Sequence, residues 1–349
     1  MRNLTLTCIV LAAALALLAV TRAAADTTPL CLGQPATIVG TDGNDTLDGT
    51  SGDDVIAGLG GDDLIRGDRG DDVICGGDGN DLIQGSNGGS FVDVMSGDAG
   101  DDTIDGGSSH GGVVSYFEAP AGVQVHLWGI TTGWGSDRVL RVESVIGSPF
   151  DDTIAGDNAP NAIFPMAGDD VVAAGAGGDT VYADGGNDRL DGGASPLDTI
   201  SFELAPRGVS VDLGTARAHG LGDDRVVGFE HVRGSRFADR IAGSAATNIL
   251  VGGSGNDVLL GRAGRDVLLG QRGATSPTAA RASTRARRSG SGDVRKRPAA
   301  ASCSGGPGRR RRSCRARPGL SASRRPRAAR TAAARGSRGR RRRGRRASA

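Results

Sequence analysis

Residues 40–105 read GTDGNDTLD (40–48), GTSGDDVIA (49–57), GLGGDDLIR (58–66), GDRGDDVIC (67–75), GGDGNDLIQ (76–84) and, after an irregular segment, GDAGDDTID (97–105). The period is nine. Gly stands at position one and usually at four, Asp at six and an aliphatic residue at eight. Asp45, Asp54, Asp63, Asp72 and Asp81 follow at an unvarying step; a three-residue insertion moves the next to Asp93, and Asp102 restores the step. Position eight is the only regularly apolar place: Leu47, Ile56, Ile65, Ile74, Ile83, Met95 and Ile104. One apolar residue in nine cannot make an amphipathic helix, which needs three or four in two turns. It fits a three-residue strand whose central side chain points inward. The residues before it are Gly, Asp and Asn, which tolerate positive φ in tight turns. Each unit is therefore predicted to be a turn plus a short strand. Two units make one flattened coil, and the coils stack with parallel strands about 4.8 Å apart. A disordered acidic linker would have no reason to keep position eight filled.

Stacking also aligns the turns. Asp45, Asp63 and Asp81 are expected along one edge, and Asp54 and Asp72 along the other. Carboxylates at that spacing repel one another. A hard cation with six to eight oxygen ligands relieves the repulsion, and calcium accepts the carboxylate and glycine carbonyl oxygens on offer.

The nine-residue Gly-Asp pattern resembles the RTX, or hemolysin-type, calcium-binding repeat. The resemblance implies an all-β parallel β-roll, or β-solenoid, with Ca2+ held between turns of neighbouring coils by the position-six Asp and turn carbonyls. The expected metal ligands in the first block are Asp45, Asp54, Asp63, Asp72, Asp81 and Asp102. Nonapeptides resume at Asp152, Asn161, Asp170, Asp179 and Asp188, and again at Asp239, Asn248, Asp257 and Asp266. Asn161 and Asn248 drop a charge, and Pro149-Phe150 and Arg236-Phe237 replace turn glycines. In these later blocks Asp152, Asp170, Asp179, Asp188, Asp257 and Asp266 are the expected ligands, with the pairs Asp179–Asp188 and Asp257–Asp266 ranked highest.

Outside the nonapeptides the chain divides clearly. Residues 1–25 read as a secretory signal peptide, with Arg2, the apolar run Cys8–Val20 and Ala23-Ala24-Ala25 before the cleavage point. The expected product is a secreted, extracellular protein with no membrane span after cleavage. Residues 26–39 form an N-terminal capping segment. Cys31 there and Cys75 at position nine of the fourth unit are the only cysteines between the signal and residue 274. In an oxidising compartment they are expected to pair.

Residues 106–191 and 192–273 each begin with a longer spacer and continue as nonapeptides. The two spacers are copies of one module. Residues 119–127 (APAGVQVHL) match 205–213 (APRGVSVDL), and 142–148 (VESVIGS) match 229–235 (FEHVRGS). Both stretches alternate apolar and polar residues, as strands do, and the module is expected to continue the stack as a wider coil.

From Ala274 the composition inverts. Residues 274–349 hold 24 Arg, one Lys and one Asp, against 16 basic and 39 acidic residues before them, so the parts carry net charges of −23 and +24. This tail is expected to be disordered. Two readings of it stay open: a polyanion-binding segment, or the product of a shifted reading frame, since another frame of a GC-rich coding string can continue the repeat. No nucleic-acid partner is expected.

Conventional catalytic chemistry is not indicated. Residues 107–111 (GSSHG) match the G-x-S-x-G pattern around Ser109, but the pattern needs a preceding strand and a following helix, and here it ends a glycine turn. The four His are scattered, and the single Lys, Lys296, follows no phosphate loop. Arg66-Gly67-Asp68 and Arg69-Gly70-Asp71 are by-products of Arg preceding Gly-Asp in the repeat. The expectation is a non-catalytic calcium-binding protein with a structural or adhesive role toward cell-surface or matrix components. The alternative is the accessory repeat region of a secreted hydrolase or toxin-like protein.

Overall fold

The computed structural model describes residues 28–86, 91–107 and 112–271, together with the backbone of two further strands, Ser276–Thr278 and Arg285–Arg287. The chain divides into two compact units, Met1–Asp293 and Val294–Ala349. The solenoid belongs to the first; the second, like the expected signal peptide and Ser109, lies outside the described residues. Among the described residues no helix is long and apolar enough to cross a membrane.

Successive nonapeptides alternate between two parallel sheets. Ile38–Val39, Val55–Gly60, Val73–Asp78 and Val94–Ala99 start a 13-stranded first sheet. Thr46–Asp48, Leu64–Arg66, Leu82–Gln84 and Thr103–Asp105 start a 16-stranded second sheet. The register is in phase: Leu47 pairs with Ile65, Ile65 with Ile83, and Ile56 with Ile74. Position-eight side chains therefore stack directly above one another. Ile56, Ile65, Ile74, Ile83, Met95 and Ile104 have no exposed surface, and only Leu47, at the terminal coil, is partly open. The same column continues through Ile163, Val181, Leu250 and Leu268.

The spacers continue the stack as wider coils, and the widening comes from an insertion in one sheet only. In the first sheet each adds nothing unusual: Val113–Ser115 pairs directly with Ser144–Ile146, and Thr199–Ser201 with His231–Arg233, all parallel. In the second sheet each inserts a three-stranded antiparallel meander. Ser136–Leu140 lies on Thr103–Asp105, Ile130–Thr132 turns back on it, and Gln124–His126 turns again to meet Thr153–Ala155. Asp223–Val227, Arg217–His219 and Ser210–Asp212 repeat this order. Tight turns at Gly133 (φ 131°) and Gly220 (φ 132°) allow the reversal. Large side chains fill the widened interior, led by Tyr116 and Phe202.

The N-terminal end is closed by the hairpin Leu30–Cys31 with Gln34–Pro35. Cys31 is bonded to Cys75, with 5.6 Å between their Cα atoms. At the other end the ladder passes the expected boundary at Gly273. Ser276–Thr278 pairs with Val258–Leu260, and Arg285–Arg287 with Val267–Leu269, both parallel. A ladder needs only backbone N–H and C=O groups, so it can outlast the side-chain pattern.

Candidate calcium-binding turns

Every nonapeptide turn ends on its position-six residue, immediately before the strand. Asp63 donates its backbone N–H to Asp81 Oδ1 at 2.8 Å, and Asp81 donates to Asp102 Oδ1 at 2.8 Å. On the opposite edge Asp54 donates to Asp72 Oδ1 at 2.9 Å, and Asp72 to Asp93 Oδ1 at 3.1 Å. The two edges are the ones expected from the period. Asp152, Asp170 and Asp188 continue the first edge after the spacer, and Asn161, Asp179 and Asp198 the second. Each carboxylate thus spends one oxygen on the backbone of the preceding coil.

The second oxygen turns into its own loop, over the position-one residue. A Cβ on Gly67 would stand 2.5 Å from Asp72 Oδ2, and one on Gly261 would stand 2.6 Å from Asp266 Oδ2. Position-one glycine therefore makes room for a carboxylate.

What meets this second oxygen divides the turns into two kinds. In the first, position two has a left-handed backbone even where the residue is not glycine: Leu59 (φ 81°), Asp68 (68°), Asp98 (66°), Met166 (77°) and Arg262 (63°). Such φ values are uncommon outside glycine and signal a constrained site. The carboxylates that close these turns, Asp63, Asp72, Asp102, Asp170 and Asp266, are at most 3% exposed, and their Oδ2 atoms have no hydrogen-bond partner. The Oδ2 atoms of Asp81, Asp179, Asp188, Asp198 and Asp224 share this state.

In the second kind, the backbone N–H of position two meets the second oxygen, and a hydroxyl there, where present, also reaches the side chain. Thr41 Oγ1 donates to Asp45 Oδ2 at 2.8 Å and Thr50 Oγ1 to Asp54 Oδ2 at 2.9 Å. Ser148 Oγ donates to Asp152 Oδ1 at 2.7 Å while its N–H takes Oδ2 at 2.6 Å. Ser235 treats Asp239 alike, at 2.8 and 2.7 Å, and Ser86 treats Asp93 at 3.0 and 2.5 Å. Both Asn variants fall in this group: Asn161 Oδ1 accepts the Asp157 N–H at 2.8 Å, and Asn248 Oδ1 the Ser244 N–H at 2.7 Å.

A buried carboxylate oxygen without a donor is costly. In the ion-free protein, burial pushes Asp72 up to about 7, Asp81 to about 6, and Asp102 and Asp170 to about 8. The N–H of the preceding coil opposes the rise, and the charges of neighbouring acids add to it. Such sites favour a proton or a cation. Among the described residues no three His, Cys, Asp or Glu side chains converge on one point, so an ion there needs backbone carbonyls for most of its ligands. That donor set is all oxygen and mostly uncharged, which suits calcium and does not suit zinc.

Of the twelve ligands expected from sequence, Asp63, Asp72, Asp81, Asp102, Asp170, Asp179, Asp188 and Asp266 carry an orphaned oxygen. Asp45, Asp54 and Asp152 are satisfied within the protein. Asp257 Oδ1 accepts the Asp239 N–H at 3.1 Å. Sequence reasoning missed Asp198 and Asp224, which lie off the nine-residue step. Their signal is the triplet Asp198-Thr199-Ile200, identical to that at Asp102 and Asp152, and Asp224-Arg225-Val226, kin to Asp239-Arg240-Ile241. It also missed Asp184, whose Oδ1 is orphaned and whose carboxyl is held well above its usual range by burial and by the nearby charges of Asp188 and Asp170.

A two-sheet parallel solenoid with columns of donor-poor carboxylates in its turns defines a cation-binding repeat protein. The model of the RTX calcium-binding nonapeptide repeat matches residues 37–64, 48–83, 87–110, 166–195, 225–259, 233–268 and 243–275. Within residues 37–275 the chain therefore carries RTX calcium-binding nonapeptide repeats, and these form a β-roll. No curated protein sequence matches the chain significantly.

Proposed function

We propose that this chain is a secreted, non-catalytic RTX protein whose β-roll folds as calcium binds and then serves a structural or adhesive role outside the cell. One observation carries the reading: ten position-six carboxylates among the described residues each present a buried oxygen that no protein donor meets. Without an ion these groups repel and must protonate or unfold. The thin core adds to the need, because one aliphatic side chain per nine residues buries too little area to order so many glycines. An ion that binds only the folded turn supplies the difference. The Cys31–Cys75 bond suits an oxidising exterior, where affinities on the order of 10⁻⁴ to 10⁻³ M suffice. The test is circular dichroism of the full chain during calcium titration. Strand signal should be weak in chelator and rise cooperatively with calcium. Full strand signal in chelator overturns the reading.

A further inference from the structure

We infer that Asp224, in the second spacer, is the carboxylate of a further calcium site, and that its twin Asp137 in the first spacer is not. The inference rests on the calcium reading above. It follows from a rule that runs through the stack: a protein donor, N–H or hydroxyl, and an ion are alternative partners for the second carboxylate oxygen.

The two spacers make the comparison cleanly. Asp137 Oδ1 accepts the N–H of Asp102 at 3.2 Å, and Asp224 Oδ1 accepts that of Asp188 at 3.3 Å. Both residues are fully buried, at 1% and 0% exposure. Both are followed by Arg-Val and lie in the strand that rejoins the preceding coil. The difference lies in one atom. Tyr116 donates its hydroxyl to Asp137 Oδ2 at 3.0 Å. The equivalent residue is Phe202, which occupies the same place: Ala119 N–H bonds Tyr116 O at 3.0 Å, and Ala205 N–H bonds Phe202 O at 3.0 Å. Phe202 has no hydroxyl, and Asp224 Oδ2 has no partner.

The coil beneath repeats the contrast. Under Asp137, position two is Asp98, whose Oδ1 accepts Ser96 Oγ at 2.6 Å. Under Asp224 it is Asp184, whose Oδ1 is orphaned. A second buried carboxylate oxygen without a donor therefore accompanies Asp224, whereas its counterpart under Asp137, Asp98 Oδ1, is capped by a hydroxyl. A cation needs such oxygens; a hydroxyl-capped carboxylate has already spent its own.

The Asn substitutions support the rule independently. Asn161 and Asn248 occur only in turns whose position-two residue satisfies them, where no positive charge has to be balanced.

Native mass spectrometry of the full chain at saturating calcium counts bound ions one at a time. Asp224→Asn and, separately, Phe202→Tyr should each lower the maximum by one ion. Phe202→Tyr adds only the hydroxyl that the sister module already accommodates, so its circular dichroism in calcium should match the parent. Asp137→Asn should leave the count unchanged. An unchanged count in both Asp224→Asn and Phe202→Tyr, or a lost ion in Asp137→Asn, overturns the inference while leaving the calcium reading intact. A parent chain that binds no calcium removes both. Should Phe202→Tyr fail to fold, the two Asn variants decide alone.

Discussion

Asp63 Oδ1 accepts the backbone N–H of Asp45 at 2.8 Å from eighteen residues along the chain, while Asp63 Oδ2 meets no donor. One side chain therefore does two separable things: it fastens the coil before it and offers an oxygen to an ion. Asp63→Ala removes both, and an unsatisfied N–H alone costs about 1–3 kcal/mol. The calcium midpoint of folding should rise by roughly tenfold or more, since each 1.4 kcal/mol is a factor of ten. Asp63→Asn keeps an acceptor for Asp45 and loses the charge, so its midpoint should lie between parent and Ala. A calcium titration in which the Ala variant matches the parent refutes the double role.

Acid should compete with calcium. The buried carboxylates bind protons in the ion-free fold up to about pH 6 at Asp81, about 7 at Asp72 and about 8 at Asp102 and Asp170. The unfolded chain releases its carboxyl protons near pH 3.9. Between about pH 4 and 8 the ion-free fold thus holds more protons than the unfolded chain, and its stability falls as pH rises through that window. Calcium that enters the ion-free fold must displace those protons. In chelator, where no ion competes, strand signal should therefore be stronger at pH 5 than at pH 8. A strand signal in chelator that does not change between those pH values would contradict this.

Reduction should loosen the N-terminal end first. The Cys31–Cys75 bond closes a 44-residue separation, worth about 4 kcal/mol on the loop-entropy estimate. Thiol labelling of the unreduced, denatured protein should find neither cysteine reactive, and Cys31→Ser with Cys75→Ser should lower the melting temperature in calcium. Quantitative labelling of both thiols would refute the pairing.

Core truncations should act locally. Ile163 stacks between Val145 and Val181 and has no exposed surface. Ile163→Ala should cost about 2–5 kcal/mol, with hydrogen exchange rising mainly in the coils that touch it, because a solenoid couples nearest neighbours. Uniform loss of protection along the whole stack would count against this.

The coil geometry was legible because the period is strict. Position eight must point inward at every step, so Ile56 to Ile104 could be placed in the core and Asp63 and Asp81 on one edge without coordinates. The meanders were not legible at the same level. Gln124–His126 and Ser144–Ile146 fell in stretches that read as strands, but Ile130–Thr132 sits between glycine-rich turns and has no pattern that distinguishes an antiparallel reversal from a loop. The division among the carboxylates was also hidden. Thr41 and Leu59 occupy the same variable position, and a nine-residue consensus treats both as filler. Only the hydrogen bond from Thr41 to Asp45, and its absence at Asp63, gives that position a meaning.

The position-six carboxylate-to-amide bonds all point the same way. The amide of Asp45 is held by Asp63, that of Asp63 by Asp81 and that of Asp170 by Asp188. The position-five side chains point the other way: Asp53 holds the amide of Asp71, Asp62 that of Asn80 and Asp151 that of Asp169. Each coil is therefore fastened both by the one made before it and by the one made after it. Trimming the array from either end strands an amide, at position six when coils are lost from the back and at position five when they are lost from the front.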